Sequence, residues 1–246
     1  MRNGATVSPM MGIPWVDQAV WRIDWLHAVD LGVAADWMGM MLWRLVELRK
    51  FPGATQAARI DSLWARMQTW YENNPGDTLH ALTVLTLKGK KQKFARLKCQ
   101  AAVCRHLIGF GEHLCKEVCD MTQVEEAAIR HAMHHLWQCY MCLRTQSMKG
   151  DLLHKESIKF SMQFSVLQKM RPTVFRCRPK LHQLLEMGEE ARTEGGLPET
   201  CWTYRDEDFG DTGAHFAKRR GSVLTVPGFS NAVLSRFFSQ PFVRII

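Results

Sequence analysis

The sequence predicts a mainly α protein, a multi-helix assembly with at most a small edge of sheet. Two observations carry that expectation. Apolar residues recur at three- and four-residue steps over long stretches, the spacing that places them on one face of a helix. Turn-forming clusters then punctuate those stretches: "FPG" at 51, "NNPGD" at 73, "KGD" at 149 and "RP" at 171.

Taken in order, Leu31, Ala34, Met38, Met41, Leu42 and Leu45 predict a first helix after Asp30 that ends near Lys50. Ile60, Leu63, Trp64, Met67, Trp70 and Tyr71 form a second amphipathic stripe. A third helix is expected from about Phe94 to Cys119. Thr122 and Glu125 have the spacing of a capping box, in which each side chain answers an orphan amide, so a fourth helix should run on to about Lys149. Asp151 can cap a fifth, reaching about Lys169; Pro172 disfavours the helical region for Arg171 and stops it. Further helices are expected from Lys180 to about Arg192, near 206 to 219, and from about Ser230, with the loop "EGGLPET" after the first of these. Only "VWRIDWL" (20 to 26) and "PTVFRC" (172 to 177) read as short strands. The chain divides into an N-terminal segment (1–19), a helical region (20–170) and a C-terminal region (171–246).

With 246 residues and 46% hydrophobic content, the chain can bury a substantial core. The formal net charge is +8, which points to polyanionic partners. The basic residues are clustered. "KGKKQKFARLK" (88 to 98) holds Lys88, Lys90, Lys91, Lys93, Arg96 and Lys98 without an acid, and "RPTVFRCRPK" (171 to 180) holds Arg171, Arg176, Arg178 and Lys180, again without one. Acids concentrate from Glu186 to Asp208. Such polarity suits a phosphate-facing surface with a separate carboxylate site, although a lysine-rich stretch is also what an ordinary solvated loop looks like. Eight cysteines without a secretory signal suggest a reducing, intracellular compartment, and no apolar run is long enough to predict a membrane span.

Three motifs are candidates for chemistry. In "HAMHHLWQCYMC", His131, His135, Cys139 and Cys142 follow one another on one helix face, and zinc favours such ligands. Four residues along one helix span roughly 16 Å at 1.5 Å per residue, so at most two could share a metal. His135, Cys139 and Cys142 are the zinc candidates, with Cys99, Cys104, His106, His113, Cys115 or Cys119 as donors from the preceding helix; core packing is the other reading. Triad hydrolase and phosphate-loop motifs are missing, and a cysteine nucleophile has no local signature. In "WTYRDEDFG" (202 to 210), the consecutive acids Asp206, Glu207 and Asp208 fit either a metal site or a dipole-favoured helix start. "DWLHAVDLGV" (24 to 33) brackets His27 with Asp24 and Asp30; Asp30 reads as an N-terminal helix residue favoured by the dipole.

"DWLHAVDLGV", "RPKLHQLLE" and "CWTYRDEDFG…AKRRG", in that order, resemble pieces of the C-terminal half of eukaryotic cut-and-paste DNA transposases of the DDE type, whose catalytic core is ribonuclease-H-like, and among them CACTA-related elements and transposon-derived proteins. Asp24 and His27 match a [C/D]-x-x-H motif, Lys180 and His182 a K-x-H motif, and Trp202 with Glu207 a W-x-x-x-x-E pattern. Lys98, Ala102 and Arg105 come close to an insertion-helix pattern, with Lys98 one residue out of register.

The resemblance implies a helical insertion followed by the end of a transposase, with at most a remnant of the ribonuclease-H-like sheet. It implies Glu207 as the last carboxylate for Mg or Mn, which two-metal strand transfer requires. Asp24 and His27 would be a structural, catalytic or active-site-adjacent pair, the histidine hydrogen-bonded to the carboxylate. Lys90, Lys91, Lys93, Arg178, Lys180, His182, Lys218, Arg219 and Arg220 would lie along the DNA backbone. Only 23 residues precede Asp24, too few for the sheet that carries the first two aspartates, so the expectation is a nuclear DNA-binding fragment, inactive alone and working with further transposase domains or by self-association. A non-catalytic basic helical binding module and a zinc-stabilised helical protein are the alternatives.

Overall fold

A computed structural model describes residues 23–89, 91–144 and 150–193. The expected helices near 206 to 219 and from Ser230 lie outside them, as do Lys90, Glu207, Lys218, Arg219 and Arg220. The described residues are mainly helical, and no strand occurs among them. All belong to one unit, Met1–Cys201.

The chain enters this unit through a π-helical run, Leu26–Ala34, that continues directly into α1, Ala35–Glu47. Asp24 starts it. Its Oδ1 accepts the Leu26 amide at 3.3 Å and its Oδ2 the His27 amide at 3.0 Å, so the carboxylate satisfies two of the orphan donors of a helix start. "VWRIDWL", expected as a strand, is therefore helical from Trp25 onward, because Asp24 caps it; residues 20 to 22 are outside the described set.

Helix α1 is the centre of the fold. All but two of its residues, Arg44 and Glu47, are buried, the pattern of a helix surrounded on every side. Trp37 is the hub: its indole lies edge-on to Phe160 and Phe164, stacks on Phe175 with centroids 6.1 Å apart, and donates to the Met133 sulfur at 3.3 Å. The C-terminus closes as a Schellman motif, with the amide of Lys50 bonded to Leu45 O and that of Arg49 to Val46 O. Arg49 takes the left-handed position (φ 58°) that glycine commonly fills.

Thr55 caps α2 (Gln56–Asn73), which buries Ile60, Leu63 and Met67 from the expected stripe. A single helical turn, α3 (Val84–Leu87), follows, closed by a Thr83/Thr86 capping box that the apolar pattern does not reveal. The helix expected from Phe94 begins only at Ala101, as α4 (Ala101–Val118). The reason is in the backbone bonding: the amides of Arg96, Leu97 and Lys98 donate to Leu87, Ala35 and Thr86, which leaves this stretch extended across α1 and α3.

Helix α5 (Val124–Arg144) starts where expected, by a different device. Asp120 Oδ1 accepts both the Thr122 amide and its hydroxyl, while Glu126 Oε2 accepts the Asp120 amide at 2.7 Å. Glu125 is not part of a capping box; it pairs with Arg44 and Arg171. Helices α6 (Gly150–Met170) and α7 (Lys180–Thr193) complete the described residues, α6 packing between α5 and α7, and α7 against the π-helical run. "PTVFRC" turns and extends without pairing as a strand. Its amides at Arg176 and Cys177 are satisfied by the Met40 sulfur and Gln168 Oε1, so no neighbouring strand is needed, and Phe175 anchors it under Trp37.

Candidate nucleic-acid interface

The two acid-free basic stretches are far apart in sequence and meet over the N-terminal half of α1. Two residues hold them together. Phe94, almost fully buried, has Lys93 Nζ 5.6 Å from its ring centroid and the Arg176 guanidinium at 5.4 Å, one cation from each stretch. Asp36 does the same with charge: Arg96 Nε lies 3.5 Å from its Oδ1 and Arg178 Nε 3.5 Å from its Oδ2.

These are ion-pair distances without hydrogen bonds, and Asp36 Oδ1 is buried with no hydrogen-bond partner. Burial raises the Asp36 pKa above its ordinary value, against the opposing pull of Arg178, Arg96 and Lys180. One buried carboxylate thus sets the position of two half-exposed guanidinium groups.

The same surface takes in the first motif. Asp24 Oδ2 and His27 Nδ1 are 2.5 Å apart, and the imidazole is more than half exposed. Lys180 crosses from α7 to donate to His27 O at 2.6 Å. Its stem lies over Gly32, where an added Cβ would come within 2.5 Å of Lys180 Cδ and 3.2 Å of His27 O. Gly32 therefore has a steric reason to be glycine. The structure brings together Asp24, His27 and Lys180, which the sequence places in two motifs 153 positions apart. Arg96 also donates to Leu31 O, tying the first basic stretch to the same π-helical run.

Of the other expected DNA contacts, Lys91 and His182 are exposed, and His182 faces Glu186 on its own helix at 3.0 Å. Lys88 lies 5.1 Å from the Trp43 ring centroid.

Asp30 departs from its expected role. It is fully buried, accepts the Tyr140 hydroxyl at 2.5 Å and lies 3.6 Å from Arg105 of α4, so it locks the π-helical run to α4 and α5 instead of serving a helix dipole at the surface. Sequence reading missed Asp30 and Asp36 as buried anchors. The available signal was an acid within an otherwise apolar run, since buried carboxylates need cationic or hydrogen-bonding partners.

The zinc candidates are distributed otherwise. His135 Nδ1 pairs with Glu156 Oε2 at 2.6 Å, while Cys139 and Cys142 are buried. Burial, with Cys142 and Glu156 nearby, drives the Cys139 thiol well above its usual pKa. Among the described residues no group of three or more His, Cys, Asp or Glu is arranged to hold a metal ion. No helix among them is long and apolar enough to cross a membrane. The chain matches no family model, no curated protein and no solved structure in the three comparisons made.

Proposed function

We propose that this chain is a transposase-derived helical module that holds duplex DNA in the nucleus through its phosphate backbone, without cleaving it alone. The observation that supports this reading is the shared anchoring of the two basic stretches by Phe94 and Asp36, which assembles Lys93, Arg96, Arg176 and Arg178 from separate parts of the sequence, with Lys180 held nearby on His27 O. Contacts of that kind fix position on the duplex and carry little sequence information. Any cleavage would need Glu207, which lies outside the described residues, together with further carboxylates.

Duplex affinity measured against salt tests the proposal. The logarithm of the binding constant should fall linearly with the logarithm of salt concentration, and R176Q and K180Q should each reduce the slope by about 0.9. Scrambled duplexes should bind equally. An affinity indifferent to salt would remove the phosphate-surface reading.

A further inference from the structure

The start of α4 brings two thiols together. Gln100 is its N-cap, with an extended backbone (φ −70°, ψ 158°) and no capping bond from its side chain, and Ala101 is the first helical residue. Cys99 and Cys104 therefore fall at the N′ and N4 positions, which the geometry of a helix start sets against each other as a hydrophobic staple. Leucine, isoleucine or valine would serve that packing, yet both members here are cysteine. The pair is unsymmetrical: Cys104 is fully buried and Cys99 partly exposed, and neither is in a disulfide.

The Cys104 thiol donates its hydrogen to the Cys99 sulfur. That bond holds the Cys99 pKa below the ordinary thiol value, with burial opposing it and Arg96 assisting. The same bond, with burial, holds the Cys104 thiol well above it. Cys99 is thus the sulfur that attacks from the solvent side, and Cys104 the thiol placed behind it to resolve the product. A second pair, Cys115 and Cys119, lies at the other end of α4. There Cys115 is fully buried and Cys119 only 8% exposed, so an oxidant in water is kept from both.

We propose that Cys99 and Cys104 form a redox-reversible modification site, at which hydrogen peroxide converts the thiol pair into an intramolecular disulfide. The Cys99 thiolate attacks one peroxide oxygen, the O–O bond breaks, and the departing hydroxide takes up the proton that Cys99 lost, leaving a sulfenic acid and water. Cys104 sulfur then attacks Cys99 sulfur, the S–O bond breaks, and the hydroxyl leaves as a second water with the Cys104 proton. Two thiols are oxidised by two electrons and one peroxide is reduced to two waters. The bridge fastens to α4 the extended stretch that carries Arg96 to Asp36. The site stands independently of the DNA-binding reading.

The experiment exposes the reduced full chain to hydrogen peroxide, labels the remaining thiols with a maleimide after denaturation, and maps tryptic peptides by mass. Cleavage after Lys98 and Arg105 places both cysteines in one peptide, Cys99–Arg105. That peptide should lose two hydrogens and refuse the label, at least roughly tenfold faster than Cys115 does, and dithiothreitol should restore it. In C104S, Cys99 should stop at the sulfenic acid and be trapped by dimedone, while C119S should leave the bridge unchanged.

Three results would overturn the proposal. One is a Cys99–Arg105 peptide still labelled on both cysteines when glutathione under the same peroxide is fully oxidised. Another is a disulfide that joins two chains through Cys99. The last is Cys99 carried on to sulfinic or sulfonic acid in the parent chain, which would show that Cys104 does not resolve it. Mapping of the parent decides all three, whether or not C104S folds.

Discussion

Gly39 lies in the middle of α1, where glycine costs about 1 kcal/mol relative to alanine. By helix propensity alone, Gly39→Ala should stabilise the protein by that amount. Packing reverses the sign. A Cβ at this position would lie far inside contact distance of Arg96 Cα, Arg96 C and Leu97 N, which are backbone atoms that no rotamer change can move. The extended stretch is held there by the Leu97 amide bonded to Ala35 O at 2.9 Å. Accommodating the methyl therefore means displacing the stretch, at about 1–3 kcal/mol for overpacking and about 1 kcal/mol for the weakened hydrogen bond. After subtracting the propensity gain, G39A should lose about 1–3 kcal/mol. Urea unfolding followed by far-ultraviolet circular dichroism measures it, as a lower midpoint at unchanged m-value. Because Arg96 moves with the stretch, duplex affinity should fall in the same variant. A G39A protein as stable as the parent, or more so, would refute the argument that close backbone approach fixes this glycine.

Tyr140→Phe deletes one hydrogen bond to buried Asp30 and should cost about 1.5–3 kcal/mol in thermal unfolding; a change below 0.5 kcal/mol, roughly the scatter of surface substitutions, would mean that the hydroxyl is dispensable. Asp36 and Glu125 should give pH effects of opposite sign. Asp36 has a raised folded pKa, so its contribution to stability is fully present below the unfolded value near 3.8 and is lost as pH rises through the folded value; D36N should gain on the parent over that rise. For Glu125, burial opposes ionisation, but bonds from Arg44 and Arg171 outweigh it and hold the pKa below 4.5. Its contribution is present above that value and lost as pH falls through the folded one, and E125Q should flatten this acid limb in denaturant titrations from neutral to acid pH. Phe94→Ala changes no charge, yet it should weaken duplex binding by loosening Lys93 from Arg176; unchanged affinity in a filter or anisotropy assay would show that the ring does not organise the face.

Much of the helical layout was legible because it is local. The periods around Met38, Leu63 and Leu181, and the stops at Pro52, Pro75 and Pro172, need only neighbours within a turn or two. What was illegible depends on partners distant in the chain. Phe94 to Cys99 reads as helix until Ala35 and Leu87 claim its amides. Within Leu26–Ala34 only the part after Asp30 reads as helix, and nothing in it distinguishes π-helical bonding from α-helical bonding. For the candidate interface, the two basic stretches were visible as composition, and the Asp24–His27 and Lys180 motifs as resemblance. Their convergence was not, because it rests on Asp36, whose sequence neighbours are apolar and whose partners Arg96 and Arg178 come from separate loops.

The Lys180–His27 contact has a topological consequence. The chain leaves the neighbourhood of His27, runs through six helices and returns to the same place at Lys180, so the excursion begins and ends at one point in space. Such a closed excursion holds the π-helical run beside the start of α7, so a change in one of its exposed turns leaves that junction in place. An insertion in the exposed turn at Pro75, within this excursion, should therefore leave the helix content of the rest unchanged, as circular dichroism would show.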